Sequence, residues 1–376
     1  MNRINVMKPW FGDEEVAALA EVIASGWVAQ GPRVARFEEA FAEHQQARYA
    51  VAASSCTTAL HMAMIVAGLE PDDEVIVPSW SFIASTNCVR YVGARPVFAD
   101  VDETTGNITI ETILPHVTGR TRAIIGVDQA GVPLDLDPIM QFASGEGITV
   151  VEDAACAAGS TYRGAPVGSG APLCTWSFHP RKILTTGEGG MLTTGREDWA
   201  ARASRLREHA MTASAADRHG SVLPTQESYA EVGHNFRMTD LQAAVGLIQL
   251  GRLDQVVARR RALAGRYAEA IAGFPGLRAV TDPPYGTTNF QSYWVEVGDD
   301  YPLSRDELLA ALAAADISAR RGIMATHRQP PYRGFVAPGQ LPVTERLTDR
   351  TLILPLYHDL SEHEQDRVID VLGAAR

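Results

Sequence analysis

The chain has no uncharged apolar stretch approaching the ~18–20 residues that a membrane-spanning helix needs. Its opening, MNRINVMKPWFGDEE, lacks the apolar core of a signal peptide, and the expectation from both absences is a cytoplasmic protein. Cysteine is scarce. Cys56, Cys88, Cys156 and Cys174 are widely spaced with no CxxC pair, so neither a disulfide framework nor a zinc site is expected, and they read as free thiols, most of them packed as small apolar groups. Positive charge is in deficit: 33 Lys and Arg against 45 Asp and Glu give a net charge of −12, which argues against binding DNA, RNA or an anionic membrane. Repeats and low-complexity tracts are absent too. What remains is ordinary globular material, 376 residues of which 46% are hydrophobic, enough for one large domain and a smaller one.

Through the first two thirds, short apolar runs alternate with helical patterns. Glu74–Pro78, Pro96–Asp100, Ala123–Asp128, Ile148–Glu152 and Leu173–Phe178 read as strands that are apolar on both faces, the pattern of a buried parallel sheet. Helical segments lie between them, notably Thr57–Ala67 and Phe82–Val92, so the repeated β-α-β order predicts an α/β domain with helices on both faces. The last third differs. Capping boxes at Thr239–Gln242, Ser304–Glu307 and Ser361–Glu364 each open a helical run, and Arg260–Ile271 reads as a charged amphipathic helix. A strand-like segment, Gln291–Val297, follows the loop Thr281–Thr288. The boundary is placed between a large α/β domain, 1–249, and a small C-terminal α+β domain, 250–376.

Open sheets of this kind bind ligands beyond the carboxyl ends of their strands. The run GITVVEDAAC brings Glu152 and Asp153 to one such end; APLCTWSF brings Ser177 to the next, and Lys182 follows. Ser54, Ser55, Thr57 and Thr58 open a long helix, whose free N–H groups and dipole suit an anion. A phosphate, a ring nitrogen seeking a carboxylate and an aldehyde seeking a lysine would use all three features, and pyridoxal phosphate carries all three. Each feature has a plainer reading. A lysine after a strand is usually solvated, an aspartate at a strand end commonly caps the next helix, and a Ser/Thr cluster can cap without a ligand. GEGG at 187–190 is a weak glycine motif. Only the ordered combination carries weight.

The segments that make up that combination, GWVAQGPRVARFEEAFA, SSCTTALHMA, VPSWSFIASTN, GARPVFADVD, VVEDAACAAGS, SFHPRKILTTGEGGM and GHNFRMTDLQAAVGLIQLGRLD, together with PPYR and LILPLYHDLSEHEQDRVI, resemble the DegT/DnrJ/EryC1/StrS family of PLP-dependent sugar aminotransferases. The resemblance implies a fold-type I transferase, mainly a parallel sheet flanked by helices, working as a homodimer with shared active sites. It implies transfer of an amino group, with L-glutamate the usual donor, to a nucleotide-linked keto-sugar. Residue by residue, it makes Lys182 the internal-aldimine lysine, which also moves the proton, and Asp153 the partner of the pyridine nitrogen. Phe82 matches the ring stacked on the cofactor, Thr57, Thr58 and Ser177 the phosphate binders, and Asn235 an asparagine donated by the neighbouring subunit. The plainer readings are core packing for Phe82 and a turn for Asn235. Arg320, Arg321, His327 and Arg328 fall in the region that approaches the site from the small domain, where arginine suits a diphosphate, or else form a solvated basic loop.

Two departures stand out. Cys156 occupies the place where the family commonly has Gln or His beside the cofactor's phenolic oxygen, and a thiol is the weaker hydrogen-bond partner. The strand end that often carries a histidine reads VDQAGVPLDLD, with Asp128 and Gln129, which points to an unusual substrate side of the pocket. The competing functions are an aminotransferase acting on a cyclitol, a PLP-dependent sugar dehydratase, which Lys182 argues against because that branch has histidine there, and a non-catalytic PLP-binding regulator.

Overall fold

The computed structural model describes residues 3–212 and 227–374. In chain order the first strands are β1 (Tyr49–Ala53), β2 (Glu74–Pro78), β3 (Arg95–Ala99), β4 (Thr121–Val127) and β5 (Thr149–Asp153). A two-residue hairpin, β6 (Thr161–Tyr162) with β7 (Ala165–Pro166), precedes β8 (Leu173–Ser177) and β9 (Gly190–Thr194). Then follow β10 (Leu277–Ala279), β11 (Gly286–Thr287), β12 (Tyr293–Val297), β13 (Arg320–Arg321) and β14 (Thr351–Leu354).

Seven strands form the main sheet in the order β1-β9-β8-β5-β4-β2-β3. The run from β3 to β8 is parallel, with Val127 beside Asp153 and Asp153 beside Thr175 in register. β9 is antiparallel to both neighbours because it returns from β8 through the loop 178–189 instead of a crossover helix. Alternation along the strands feeds two cores. Val75, Val77, Ile125 and Val151 pack under the helices Cys56–Val66, Ala84–Tyr91 and Glu197–Leu206, while Ile76, Ile124, Val150 and Trp176 pack on the other face. The all-buried pattern of β2 is what a strand covered on both faces requires.

A second sheet, β10-β12-β14-β13, is antiparallel throughout and packs against the helices Leu253–Ile271 and Arg305–Ala314. The first residues of the chain join this part: Ile4 donates to the Asp316 carbonyl at 3.0 Å and accepts from the Ser318 N–H at 2.8 Å. Position 249, where the sequence suggests a boundary, falls within the helix Asp240–Gly251. The strand at Glu74–Pro78 lies where the sequence puts it, and the other four differ by one or two residues at their ends. The three capping boxes form, at Thr239, Ser304 and Ser361. The helix expected from Phe82 begins at Ala84, and the one expected from Arg260 begins at Leu253.

Candidate active site

A cavity of about 580 Å³ lies where the carboxyl ends of β4, β5 and β8 meet the start of the Cys56–Val66 helix, and residues of β13 and β14 close its far side. Lys182 stands on its wall, on the turn between β8 and β9. The chain has only two lysines. The other, Lys8, is at the surface, 3.5 Å from Asp359. The Lys182 N–H donates to the His179 carbonyl at 2.8 Å, and its Nζ donates to the Sγ of Cys156 at 3.0 Å.

Asp153 ends β5 and is 3% exposed. Ser85 donates its hydroxyl to Oδ2 at 2.7 Å and the Ala155 N–H donates to Oδ1 at 3.1 Å, so both oxygens are held. A turn follows Asp153 rather than a helix, which removes the capping role open to an aspartate at this point of the sequence. Burial pushes its carboxyl above the ordinary value, and the Ser85 bond, the Ala155 N–H and the Lys182 charge pull it back in part. For Lys182, burial acts downward, but Cys156, Cys56 and Asp153 outweigh it and hold the ammonium above the ordinary lysine value.

At the helix start, Ser55 is the N-cap. Its hydroxyl accepts from the Thr58 N–H at 3.2 Å, while the Thr58 hydroxyl accepts from the Ser55 N–H at 3.1 Å. Thr58 is thereby occupied by the cap and does not line the cavity, whereas Thr57 and Ser177 do. The N–H groups of Cys56 and Thr57 belong to the first turn, where the helix itself offers no acceptor. Gly190 lets this helix start sit against β9, since a Cβ there would come within 2.4 Å of the Ser55 backbone. Phe82 also faces the cavity with 62% of its surface exposed, so its ring is not core packing.

The expected basic cluster divides. Arg320 and Arg321 are exposed and line the cavity from β13, with Arg321 3.1 Å from Asp306. His327 does not accompany them. It is buried, its Nδ1 2.6 Å from the Ser79 hydroxyl and its Nε2 3.4 Å from Glu345, and it is absent from the cavity wall. Arg328 is taken up by Glu345 and Asp349. The reason is the backbone: 320–321 is a strand along the cavity, while 326–328 is a 3₁₀ turn packed towards the Pro342–Arg350 helix. Asn235 is exposed, bridged to Glu208, and does not line its own chain's cavity.

Of the two residues at the unusual strand end, Gln129 lines the cavity and donates to the Trp80 carbonyl at 2.5 Å. Asp128 is buried outside it, with Oδ1 accepting from the Leu134 N–H at 2.8 Å. Three residues of the site escape sequence reading: Arg181, exposed on the rim beside Lys182; Ser85, which holds Asp153; and Gln291, from the loop before β12. Only the position of Arg181 next to Lys182 could have signalled it.

The model of the DegT/DnrJ/EryC1/StrS aminotransferase family matches residues 9–373. Over 374 residues the chain is 38% identical to GDP-perosamine synthase of Caulobacter vibrioides, covering 98% of this chain and 97% of that one. Among solved structures, DesV of S. venezuelae in complex with a ketimine intermediate is 33% identical with a TM-score of 0.91, covering 100% and 99% of the two chains. The PLP form of Spr1654 of Streptococcus pneumoniae is 26% identical with a TM-score of 0.91, covering 99% and 98%. A likeness that continuous makes the chain a member of the DegT/DnrJ/EryC1/StrS aminotransferase family, fold-type I enzymes that work with pyridoxal phosphate.

Proposed function

We propose that the chain transfers an amino group from an amino acid, with L-glutamate as donor, to a keto-sugar linked to a nucleoside diphosphate, and that Lys182 is the residue that holds the cofactor covalently. The observation that carries this reading is that one cavity presents the Lys182 amine, the buried Asp153 carboxylate and an uncovered Phe82 ring, with Arg181, Arg320 and Arg321 around it. The relative named GDP-perosamine synthase supports GDP-linked keto-sugars as the first acceptors to try.

The residues present fit pyridoxal phosphate. Asp153, with both oxygens already held, is a fixed carboxylate for the ring nitrogen; Thr57, Ser177 and the N–H groups of the helix start suit the phosphate; and Phe82 would cover one ring face. When bound, the cofactor supplies an electron sink that lets a proton leave the carbon bearing the transferred nitrogen. Lys182 Nζ would take that proton and return it to the carbon on the other side of that nitrogen, as base and then acid. Cys156 would orient Nζ, and the walls from β13 and β14 would keep water from it. Arg320 and Arg321 would bind the diphosphate by charge-assisted hydrogen bonds. We place Asn235 in the site of a second subunit within a homodimer, and the enzyme in the cytoplasm; no described helix is long and apolar enough to cross a membrane.

The test is to load the protein with pyridoxamine phosphate and offer a panel of GDP-, dTDP- and UDP-linked keto-sugars and a keto-cyclitol. Amine transfer to a nucleotide-linked sugar is expected. Transfer to the cyclitol alone would overturn the acceptor, and transfer to none would overturn the reading.

A further inference from the structure

Gln291 comes from the loop before β12, more than a hundred residues away from Lys182, yet its side chain meets both peptide groups that flank that lysine. Its Nε2 donates to the Arg181 carbonyl at 2.6 Å, and its Oε1 accepts from the Ile183 N–H at 2.9 Å. Gln291 is 8% exposed and lines the cavity. A primary amide donates to a carbonyl and accepts from an N–H in this way without ionising at any ordinary pH, and making both bonds fixes the turn on either side of Lys182.

The loop that delivers Gln291 is itself fixed. Phe290 has a positive φ of 51°, a conformation that a bulky residue adopts only when its surroundings impose it. Its carbonyl accepts from Arg260 Nε at 3.1 Å and Nη2 at 2.7 Å, and Arg260, 1% exposed, also donates to the Gln291 carbonyl at 2.9 Å. Asn289 Oδ1 accepts from the Gln291 N–H at 2.7 Å, while its Nδ2 donates to the carbonyls of Cys156 and Ala158, each at 2.8 Å. The turn carrying Lys182 and the turn following Asp153 are therefore tied to one three-residue segment. Gly131 is matched to it: a Cβ there would lie 1.9 Å from Asn289 Oδ1.

We propose that Gln291 is a positioning residue for Lys182, and that the Asn289–Gln291 brace sets where the lysine amine stands relative to Asp153 and Cys156. The proposal rests on Lys182 being the cofactor-binding lysine. A brace of this kind matters because a displacement of about 1 Å at a reacting group can cost roughly 100-fold in rate. Arg260 serves the brace from behind, supplying its donors to backbone carbonyls and to the Met7 sulfur, and none to a carboxylate among the described residues.

The test uses the PLP-loaded protein as wild type, Gln291→Met and Gln291→Glu. Three quantities are read: the peptide fixed to cofactor by borohydride, the pH midpoint of the visible absorbance, and the rate at which aminooxyacetate displaces the lysine from the cofactor. In the Met variant, which keeps the volume and loses both bonds, fixation should remain at residue 182. Its midpoint should move by about one pH unit and its displacement rate should change roughly 10- to 100-fold, with cofactor content unchanged. The Glu variant should match wild type in acid, where a protonated carboxyl can make both bonds. It should diverge as pH rises, because an ionised oxygen then faces the Arg181 carbonyl. A Met variant with midpoint and rate within about twofold of wild type overturns the proposal. If the Met variant does not fold, a Glu variant that follows wild type at every pH overturns it equally. Wild type with no fixation at residue 182 instead removes the reading of Lys182 on which the proposal stands.

Discussion

The Nζ of Lys182 donates a hydrogen bond to the Sγ of Cys156 at 3.0 Å. Cys156 is the half-buried one of the four free cysteines, the other three being packed in the core. The Cys156 thiol thus touches the lysine directly, and this hydrogen bond helps to raise the lysine's pKa.

Cys156→Ala removes that support, so burial acts on Lys182 with less opposition and its pKa falls. The free amine then exists at lower pH. The pH midpoint for capture of added pyridoxal phosphate by the apo protein should move down, with Cys156→Ser in between because a hydroxyl still accepts. An unmoved midpoint in Cys156→Ala would show that the sulfur contact has no bearing on the amine.

Because Lys8 is engaged with Asp359 at the surface, borohydride reduction of the loaded protein should label the peptide carrying Lys182 alone. Lys182→Ala should lose both the label and transamination, by about 10²–10⁴-fold or more in rate. Asp153→Asn should bind cofactor and lose turnover by a similar factor, since the amide gives the ring nitrogen no negative partner. A Lys182→Ala chain with full turnover would end the assignment.

Arg320 and Arg321 sit on an exposed strand at the cavity wall, and among the described residues Arg321 alone of the two meets a carboxylate, Asp306 at 3.1 Å. Arg320→Ala and Arg321→Ala should raise the KM for a nucleotide-linked keto-sugar by roughly tenfold and leave the glutamate half-reaction nearly unchanged. His327→Ala should alter stability rather than KM, because the histidine bonds Ser79 and Glu345 away from the cavity. Equal damage to both half-reactions by either arginine variant would assign that arginine to the donor or to folding.

Glu152, beside Asp153 on β5, is 1% exposed, its Oε2 has no hydrogen-bond partner among the described residues, and burial pushes its carboxyl up to about 7. Asp128, next to it in charge terms, is also raised well above the ordinary value by burial and by Glu152. The unfolded chain releases the Glu152 proton near the ordinary value of about 4.3, so the folded state holds more protons between there and pH 7. Stability should therefore fall as pH rises through that window, by roughly 3–4 kcal/mol. Glu152→Gln should flatten the decline in thermal midpoint between pH 5 and pH 8. An equally steep decline in the variant would assign the dependence to other groups.

Asn235 is exposed and bridged to Glu208 on its own chain. If it serves a second subunit's site, co-expressing Lys182→Ala with Asn235→Ala should give heterodimers in which one site keeps both residues. Activity should return to roughly a quarter of wild type from random pairing in which half the dimers are mixed and each has one working site. No recovery in verified heterodimers would remove Asn235 from a shared site.

What the sequence determined by itself was local. Strand β2, the three capping boxes and the approach of Asp153 and Lys182 to strand ends all follow from side-chain period and cap chemistry within a few residues. Those forces are short-ranged and carry their own signature. Strand β1, YAVAA, escaped because its alanines favour helix; it is a strand because it pairs with β9, which is set by tertiary contact. Arg260 reads as one charge on an amphipathic helix and is instead buried on backbone carbonyls. His327 and Arg321 lie six residues apart in sequence, yet one is turned to Glu345 and the other to the cavity. Gln291 reaches the peptide groups around Lys182 across separations of 108 and 110 residues. Pairings at that range depend on how the second sheet docks on the first, an outcome of the summed packing of both cores that no local pattern encodes.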